Sequence, residues 1–209
     1  MKVLYLASFQ ASHPRFDVTY QDINGKRDIG GDMMEVDLAP YDVIIATPPC
    51  NYYSKLNRSR ETSIYAQSTK HLLPSIIDKL SKQNKPYLVE NVRSHIINSL
   101  IKSMDFNGFI VQYGRHTYWT NVPFNPFNIK QNIDFKSNIS RKSVSKEDFP
   151  KLCSAVSMAT NPQGGQNVHN VIDYWLDVVK ATFFEQTDLR HSNALLQNIF
   201  CPKRGKEKE

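Results

Sequence analysis

The chain has only three cysteines among its 209 residues, and they lie far apart, at Cys50, Cys153 and Cys201. Thiols this few and this scattered exclude a disulfide framework and a cysteine-based zinc cluster. Unpaired thiols are typical of reducing compartments. We therefore expect an intracellular protein with no bound metal.

The sequence also lacks a long hydrophobic run. No apolar stretch approaches the ~20 residues that a membrane-spanning helix requires. The N-terminal segment, residues 1–8, is too short for the apolar core of a signal peptide and is more typical of a first strand. We therefore expect no contact with a membrane.

The overall composition is that of an ordinary globular protein, with 40% hydrophobic and 22% charged residues. The length fits one domain with a small additional segment. The net charge of +6 gives only weak support to a polyanionic partner, because a solvated basic surface has the same composition.

A short apolar run, residues 43–46, predicts a buried strand. Pro48 and Pro49 end this strand, because proline has no amide hydrogen to donate within a sheet. Cys50 follows on the stiffened loop. Since open α/β sheets place their chemistry at the carboxyl ends of strands, Cys50 is a candidate reactive thiol. A small hydrophobic residue near a turn is the alternative interpretation.

The order of the predicted elements indicates an α/β protein. Strands are predicted at residues 3–8, 18–23, 32–36, 43–46, 87–90, 109–113 and 115–120, and helices between 57 and 83, at 93–104 and after 168. We expect the first helical segment to be interrupted at Pro74. This order is typical of a Rossmann-like, doubly wound, mostly parallel sheet with an antiparallel edge hairpin. Glu90 ends one of these strands, as a carboxylate at a strand tip.

Three motifs in this order resemble those of DNA cytosine-5 methyltransferases, in particular the short phage-type members: Pro48-Pro49-Cys50, Glu90-Asn91-Val92 and Gln112-Tyr113-Gly114-Arg115. Residues 51–54 and 119–124 are similar to two further stretches of the family. The resemblance covers about residues 1–125 and, more weakly, 150–180. It implies transfer of a methyl group from S-adenosylmethionine to carbon 5 of cytosine.

The resemblance implies catalytic roles for three residues. Addition of a thiolate to carbon 6 of cytosine activates carbon 5, which is otherwise a poor nucleophile. Cys50 would supply the thiolate, a protonated Glu90 would hydrogen-bond ring nitrogen 3, and Arg115 would bind the base's carbonyl oxygen or steer Cys50. Asn91 would brace the loop. The alternatives are a surface acid for Glu90 and an ion-pair or phosphate-binding arginine for Arg115.

The resemblance also implies S-adenosylmethionine as cofactor. Its candidate contacts are Phe9, Asp22, Asp32, Pro48 and Asn167. The family's glycine-rich loop is missing, because Ala11 and Ser12 stand where glycines are expected. Only about nine residues connect the first two strands, fewer than a parallel crossover usually needs. Turn and cap roles remain the alternative for the two aspartates.

DNA, or a cytosine nucleotide, is the substrate that the resemblance implies. The candidate nucleic-acid contacts are Ser54, Lys55, Arg58 and Arg60 after the cysteine loop, and Lys136 and Arg141 further along. Residues 55–60 are equally consistent with a solvated helix start, a phosphate contact or a mobile lid. Residues 123–149 form a loop-rich segment that is either a short recognition insert or a small satellite core.

We expect a methyltransferase-like domain at residues 1–122 and 150–185, the insert at 123–149, and a disordered charged tail at 200–209. The resemblance to phage-type members implies the cytoplasm of a phage-infected or bacterial host cell. A catalytically silent relative that binds nucleic acid or a protein partner is the second interpretation. Other pyrimidine chemistry at Cys50 and Glu90 is a third.

Overall fold

The computed structural model describes residues 1–8, 15–25, 27–125 and 165–185, with side chains in the last range from residue 171 onward. The chain separates into two compact units, Met1–Val122 and Pro123–Glu209. The predicted insert at 123–149 lies outside the described residues except for 123–125, and the predicted tail at 200–209 lies outside them entirely.

The described residues of the first unit form a seven-stranded sheet. Its strands are β1 (Lys2–Leu6), β2 (Asp17–Asp22), β3 (Ile29–Gly30), β4 (Val43–Ala46), β5 (Tyr87–Val92), β6 (Phe109–Tyr113) and β7 (His116–Thr120). The spatial order is β3-β2-β1-β4-β5-β7-β6. Strands β1 to β5 pair in parallel, and β7 pairs antiparallel with both β5 and β6. The predicted α/β class and the mostly parallel sheet with an antiparallel edge are confirmed.

Three helices of the first unit follow their predicted positions closely. They are α1 (Ile64–Thr69), α2 (Leu72–Ser81) and α3 (His95–Ser103). Ser63 and Ser94 cap α1 and α3, because each side chain accepts a hydrogen bond from an amide of the first turn. Pro74 lies in the first turn of α2, where a proline is tolerated, so the expected interruption is a new helix.

One predicted strand is wrong. Residues 32–36 form turns, and the third strand is instead Ile29–Gly30. Asp32 determines the outcome locally, because its Oδ1 accepts a hydrogen bond of 2.8 Å from the Met34 amide. This side-chain acceptor stabilises a turn in competition with a strand ladder.

One face of the sheet packs on α2 and α3. Alternate strand residues are fully buried there against leucine and isoleucine side chains of the two helices: Leu4, Leu6, Ile44, Ala46, Val89 and Trp119 from the strands, and Leu73, Ile76, Ile77, Leu80 and Ile97 from the helices. The other face is buried as well, since Val3, Val43, Ile45 and Leu88 are at most 1% exposed. Burial on both faces explains why β4 reads as a continuous apolar run.

The described part of the second unit contains helix α4 (Gly165–Phe183). Val171, Ile172, Trp175, Leu176 and Val179, the predicted apolar face of this helix, are all buried. The ring of Tyr174 lies 6.5 Å from that of Phe124 within the same unit. None of the helices in the described parts of the chain is long and apolar enough to cross a membrane.

Candidate active site

The strand order reverses between β1 and β4, where the chain returns to the other side of β1. At this point the side chain of Thr47 donates a hydrogen bond of 3.0 Å to the Ala7 carbonyl, which joins the ends of the two strands. In α/β sheets a crevice for ligands forms outside the carboxyl ends of the strands at such a reversal. The Cys50 loop begins at this reversal, directly after β4.

The loop that carries Cys50 is held at both ends. The Cys50 carbonyl accepts hydrogen bonds from the amides of Tyr53 and Ser54, at 3.0 and 2.8 Å. The Asn91 side chain, on β5, donates a buried hydrogen bond of 3.0 Å to the Pro48 carbonyl. This contact confirms the bracing role predicted for Asn91. Because β5 also carries Glu90, the thiol loop and the carboxylate are held by the same strand end.

The Cys50 thiol is strongly affected by this environment. Burial and, secondly, the negative charge of Glu90 raise its pKa from the ordinary value of 9.0 to about 11, although a backbone hydrogen bond at Cys50 acts in the opposite direction. Glu90 thus acts electrostatically on the thiol, but it lies within β5, two residues before the strand ends at Val92, and not at the strand tip where the sequence placed it. In the absence of a substrate the thiol is protonated at neutral pH.

Glu90 has a partner that sequence reasoning missed. Its Oε1 lies 2.5 Å from Nδ1 of His116, and the two side chains are only 11% and 13% exposed. In the antiparallel register Val92 faces His116 and Glu90 faces Tyr118, so Glu90 and His116 are diagonal neighbours on one face of the sheet. The sequence does place a histidine at the start of the second hairpin strand. Pairing it with Glu90 required knowing that β7, and not β6, lies next to β5.

The surroundings of this pair are closed. The Nε2 atom of His116 is buried, and no described residue makes a hydrogen bond to it. The Tyr118 ring lies 6.4 Å from the His116 ring. Burial, and secondly the charge of Glu90, raise the pKa of Tyr118 well above its usual value. Little water therefore reaches Glu90, and electrostatic interactions at this position are strong.

Arg115 lies apart from this pair. It occupies the turn between β6 and β7 beside Gly114, whose φ of 58° makes the turn possible, and its side chain is exposed. Its carbonyl accepts a hydrogen bond of 2.6 Å from the Arg93 amide, which ties the turn to the end of β5. The described residues give its guanidinium no hydrogen-bond partner, and its role toward a base stays a prediction.

The end of β1, where a glycine-rich loop was missing, is joined to β2 by Gln21. The buried Gln21 side chain accepts a hydrogen bond of 2.8 Å from the Ala7 amide and donates one of 2.5 Å to the Gly31 carbonyl. The Ser8 amide donates to the Gln21 carbonyl at 3.0 Å. Two amides that could face a ligand are thus used within the protein. Ala7 has a φ of 52°, the left-handed conformation that glycine adopts more readily.

The two candidate cofactor acids both have turn roles. Oδ1 of Asp22 accepts a hydrogen bond of 2.8 Å from the Asn24 amide, and Oδ1 of Asp32 accepts one of 2.8 Å from the Met34 amide. Asp22 is half-buried at the end of β2, and Asp32 is exposed after β3. Each therefore keeps a second carboxylate oxygen that the turn does not use.

The remaining cofactor candidates are less informative. Pro48 lies in the Cys50 loop, held by Asn91. Phe9 lies outside the described residues, and Asn167 lies in α4 with only its backbone described. Within the described ranges, no group of three or more His, Cys, Asp or Glu side chains could hold a metal ion.

The nucleic-acid candidates after Cys50 divide into two groups. Lys55 and Arg58 are exposed, so their charges can meet a phosphate. Arg60 is half-buried and donates hydrogen bonds to the carbonyls of Asn57 and Ser54, so it stabilises the loop. The Ser54 hydroxyl accepts a hydrogen bond of 3.2 Å from the amide of Leu56. Lys136 and Arg141 lie outside the described residues.

The phenol of Tyr65, on α1, interacts both with Cys50 and with Asp22 at the end of β2. Burial raises its pKa, and so do the charges of Cys50 and Asp22, in that order. Its side chain is still 54% exposed. Helix α1 therefore presents a half-exposed aromatic ring that interacts with the Cys50 thiol and with Asp22 at the end of β2.

No protein-family model and no curated protein matches the chain. The functional assignment therefore depends on the motifs and on the geometry of Cys50, Glu90 and His116.

Proposed function

We propose that the protein is a DNA cytosine-5 methyltransferase with a Rossmann-like, doubly wound fold. The observation that carries the proposal is the placement of Cys50 and Glu90. Cys50 follows β4, Glu90 lies within the adjacent parallel strand β5, the charge of Glu90 acts on the thiol, and Asn91 holds the Cys50 loop to β5. A thiol and a carboxyl group on neighbouring strands suit addition to a pyrimidine ring.

The reaction begins at carbon 6 of cytosine. The Cys50 thiolate forms a bond to this carbon while Glu90 donates a proton to ring nitrogen 3, which leaves a neutral enamine. Carbon 5 would then take the methyl group as the bond between that methyl and the sulfonium sulfur of the donor breaks, and the neutral sulfide would leave. A water molecule would take the proton of carbon 5, the bond between Cys50 and carbon 6 would break, and nitrogen 3 would return its proton to Glu90. A cytosine within a duplex must first be extruded into the pocket.

The charge coupling between the two residues fits this sequence. The charge of Glu90 raises the pKa of Cys50, so a charged Glu90 opposes thiolate formation. A protonated Glu90 removes this opposition and is also the form that can donate to nitrogen 3. Substrate binding that favours a protonated Glu90 therefore favours both halves of the addition step.

S-adenosylmethionine would supply the methyl group as an electrophile. The second carboxylate oxygens of Asp22 and Asp32 fit hydroxyl or amino donors of such a nucleoside, and Pro48 would line the same crevice. The fit is incomplete at the end of β1, where Gln21 occupies the amides of Ala7 and Ser8. Phe9 and Asn167 stay candidate contacts on the resemblance of the motifs alone.

Lys55 and Arg58 are the described residues best placed to contact the DNA backbone, and Lys136 and Arg141 would add further contacts. A cytosine nucleotide is the smaller alternative substrate. The cytoplasm of a phage-infected or bacterial cell, which holds both DNA and the methyl donor, is the location that belongs to this proposal.

The test is methyl transfer from labelled S-adenosylmethionine to cytosine-containing DNA, with Cys50→Ala and Cys201→Ala compared under the same conditions. We expect Cys50→Ala to abolish transfer while its DNA affinity stays within about twofold, because the substitution removes the nucleophile without removing a charge. Cys201→Ala, which removes a thiol from another part of the chain, should keep full activity. Transfer by Cys50→Ala would overturn the proposal.

The use of the Ala7 and Ser8 amides by Gln21 favours a second candidate, a catalytically silent relative that binds nucleic acid. Calorimetric titration of S-adenosylmethionine and of its demethylated product separates the two. The methyltransferase should bind in the micromolar range, about −8 kcal/mol. A folded protein that gives no heat with either ligand, yet binds DNA with a steep salt dependence, would be the silent relative.

A further inference from the structure

Glu90 and His116 form a nearly buried pair across β5 and β7. The 2.5 Å between Oε1 and Nδ1 is a short hydrogen-bond distance. Little water reaches either group, since their side chains are 11% and 13% exposed. In such surroundings the hydrogen bond between the two groups is strong.

The second ring nitrogen of His116 determines where the proton lies. Nε2 is buried, and none of the described residues makes a hydrogen bond to it. Protons on both nitrogens would bury a positive charge and an N–H donor without an acceptor, which is unfavourable. A single proton on Nδ1 avoids this and donates a hydrogen bond to Oε1 of Glu90. The geometry therefore favours the neutral Nδ1–H form of the ring.

We propose that His116 is a positioning residue for the addition step: its Nδ1–H holds Oε1 of Glu90, so that Oε2 presents the acidic proton to nitrogen 3 of cytosine. This inference rests on the proposed function and deepens it. Sequence motifs pointed to Arg115 for this region, but its side chain is exposed in the preceding turn. The neighbouring residue, His116, is the one in contact with the acid.

The proton inventory of the step is balanced. The Glu90 carboxylate first takes the proton of the Cys50 thiol. That proton moves from Oε2 of Glu90 to nitrogen 3 as the sulfur–carbon bond forms, and it leaves a carboxylate. Nδ1–H keeps its hydrogen bond to Oε1 and stabilises that carboxylate where it formed, so that no side chain has to move. When the thiol leaves, nitrogen 3 returns the proton to Oε2.

Other titratable groups also act in this pocket. The Cys50 thiol interacts with Glu90 from the loop after β4, and the Tyr118 phenol interacts with Glu90 from β7. Tyr5 on β1 and Tyr113 on β6 act on Tyr118 in turn. A thiol and three phenols carry no positive charge in either protonation state, so none of them is a cation that could take the place of His116.

The first experiment determines which ring nitrogen of His116 carries a proton. In protein labelled with ¹⁵N at histidine, the two nitrogen shifts of His116, assigned by comparison with His116→Asn, distinguish a protonated Nδ1 from a protonated Nε2. We expect a proton on Nδ1 alone near pH 7. A proton on Nε2 alone, or on both nitrogens, would overturn the proposal whether or not the protein is a methyltransferase.

The second experiment isolates thiol addition from methyl transfer. Without a methyl donor, reversible addition of Cys50 to carbon 6 lets carbon 5 exchange its hydrogen with deuterium from the solvent. We expect His116→Ala to slow this exchange about 100-fold, within the usual range for acid–base groups. In His116→Asn the side-chain amide can place an N–H group where Nδ1 of His116 lies. The exchange rate of this variant should therefore stay within about fivefold of the wild-type rate.

The controls separate the two proposals. His95→Ala, which removes an exposed histidine at the start of α3, should leave the exchange rate unchanged. Equal losses in His116→Asn and His116→Ala, or a rate within threefold of wild type in His116→Ala, would overturn the positioning role alone. Absence of exchange in the folded wild-type protein would instead overturn the proposed function, and the role of His116 in it.

Discussion

The side chain of Asn91 donates a buried hydrogen bond of 3.0 Å to the carbonyl of Pro48, and its own Oδ1 accepts one of 2.9 Å from the Val92 amide. One residue thus connects the end of β5 to the loop that carries Cys50. Asn91 thus adds a side-chain link between the Cys50 loop and β5 to the backbone pairing of β4 with β5.

Asn91→Ala tests this connection. We expect a loss of about 1–3 kcal/mol in the free energy of unfolding, because the Pro48 carbonyl remains buried without its donor. Urea denaturation measures it, with Asn98→Ala as the matched control. The Asn98 side chain makes an exposed hydrogen bond of 2.8 Å to Gln112, so its removal should cost less than about 0.5 kcal/mol. Equal effects of the two substitutions would contradict the buried connection.

The alkylation rate of Cys50 should report its raised pKa. A shift from 9.0 to about 11 leaves roughly 100-fold less thiolate at neutral pH than an ordinary cysteine has. The rate of carbamidomethylation at Cys50, followed by peptide mass spectrometry, should rise tenfold per pH unit up to about pH 11.

Glu90→Gln should move this alkylation profile to lower pH. The charge of Glu90 is the second cause that raises the pKa, so its removal favours the thiolate, whereas burial, the first cause, remains. At pH 8 the variant should therefore react faster than the wild type. An unchanged or slower reaction would show that the carboxylate and the thiol do not interact.

Ala7 should tolerate glycine better than a larger side chain. Its φ of 52° lies in the left-handed region, which costs a residue with a Cβ about 1–2 kcal/mol. Ala7→Gly relieves this cost but adds chain entropy to the unfolded state, so we expect a net change between zero and about 1 kcal/mol of stabilisation. Ala7→Val should destabilise by more than about 1 kcal/mol.

Thermal or urea unfolding of the Ala7 variants shows whether each substitution raises or lowers the free energy of unfolding. Ala66→Gly provides the opposite control, because Ala66 lies in helix α1 and is buried, and glycine costs about 1 kcal/mol in a helix. Destabilisation by both glycine substitutions would mean that Ala7 does not hold a left-handed conformation in solution.

The exposed charges of Lys55 and Arg58 should appear in the salt dependence of DNA binding. Each phosphate contact contributes about 0.9 to the slope of log affinity against log salt for duplex DNA. The double variant Lys55→Ala/Arg58→Ala should reduce this slope by about 1.8 in a fluorescence anisotropy titration. Lys82→Ala, which removes a lysine that pairs with Asp78 on α2, should leave it unchanged. If the two variants had the same salt slope, the loop that carries Lys55 and Arg58 would not contact DNA.

Local patterns in the sequence determined the elements that carry Cys50 and Glu90. An apolar run too short for a helix, ended by two prolines, specifies a strand and its end without reference to the rest of the chain. The helices of the first unit and the hairpin followed in the same way, from spacing and turn residues. The strand expected at 32–36 was wrong because Asp32 stabilises a turn, a side-chain preference that outweighed an apolar pattern only five residues long.

Only the tertiary structure decided which residues meet. Strand pairing joins segments that are distant in the chain, and the register of β7 on β5 placed His116, and not Arg115, against Glu90. Strand pairing also placed the buried Gln21 side chain where it hydrogen-bonds both the Ala7 amide after β1 and the Gly31 carbonyl. Residue type and spacing determine what a strand end can carry, whereas the partner across the sheet depends on the packing of all seven strands.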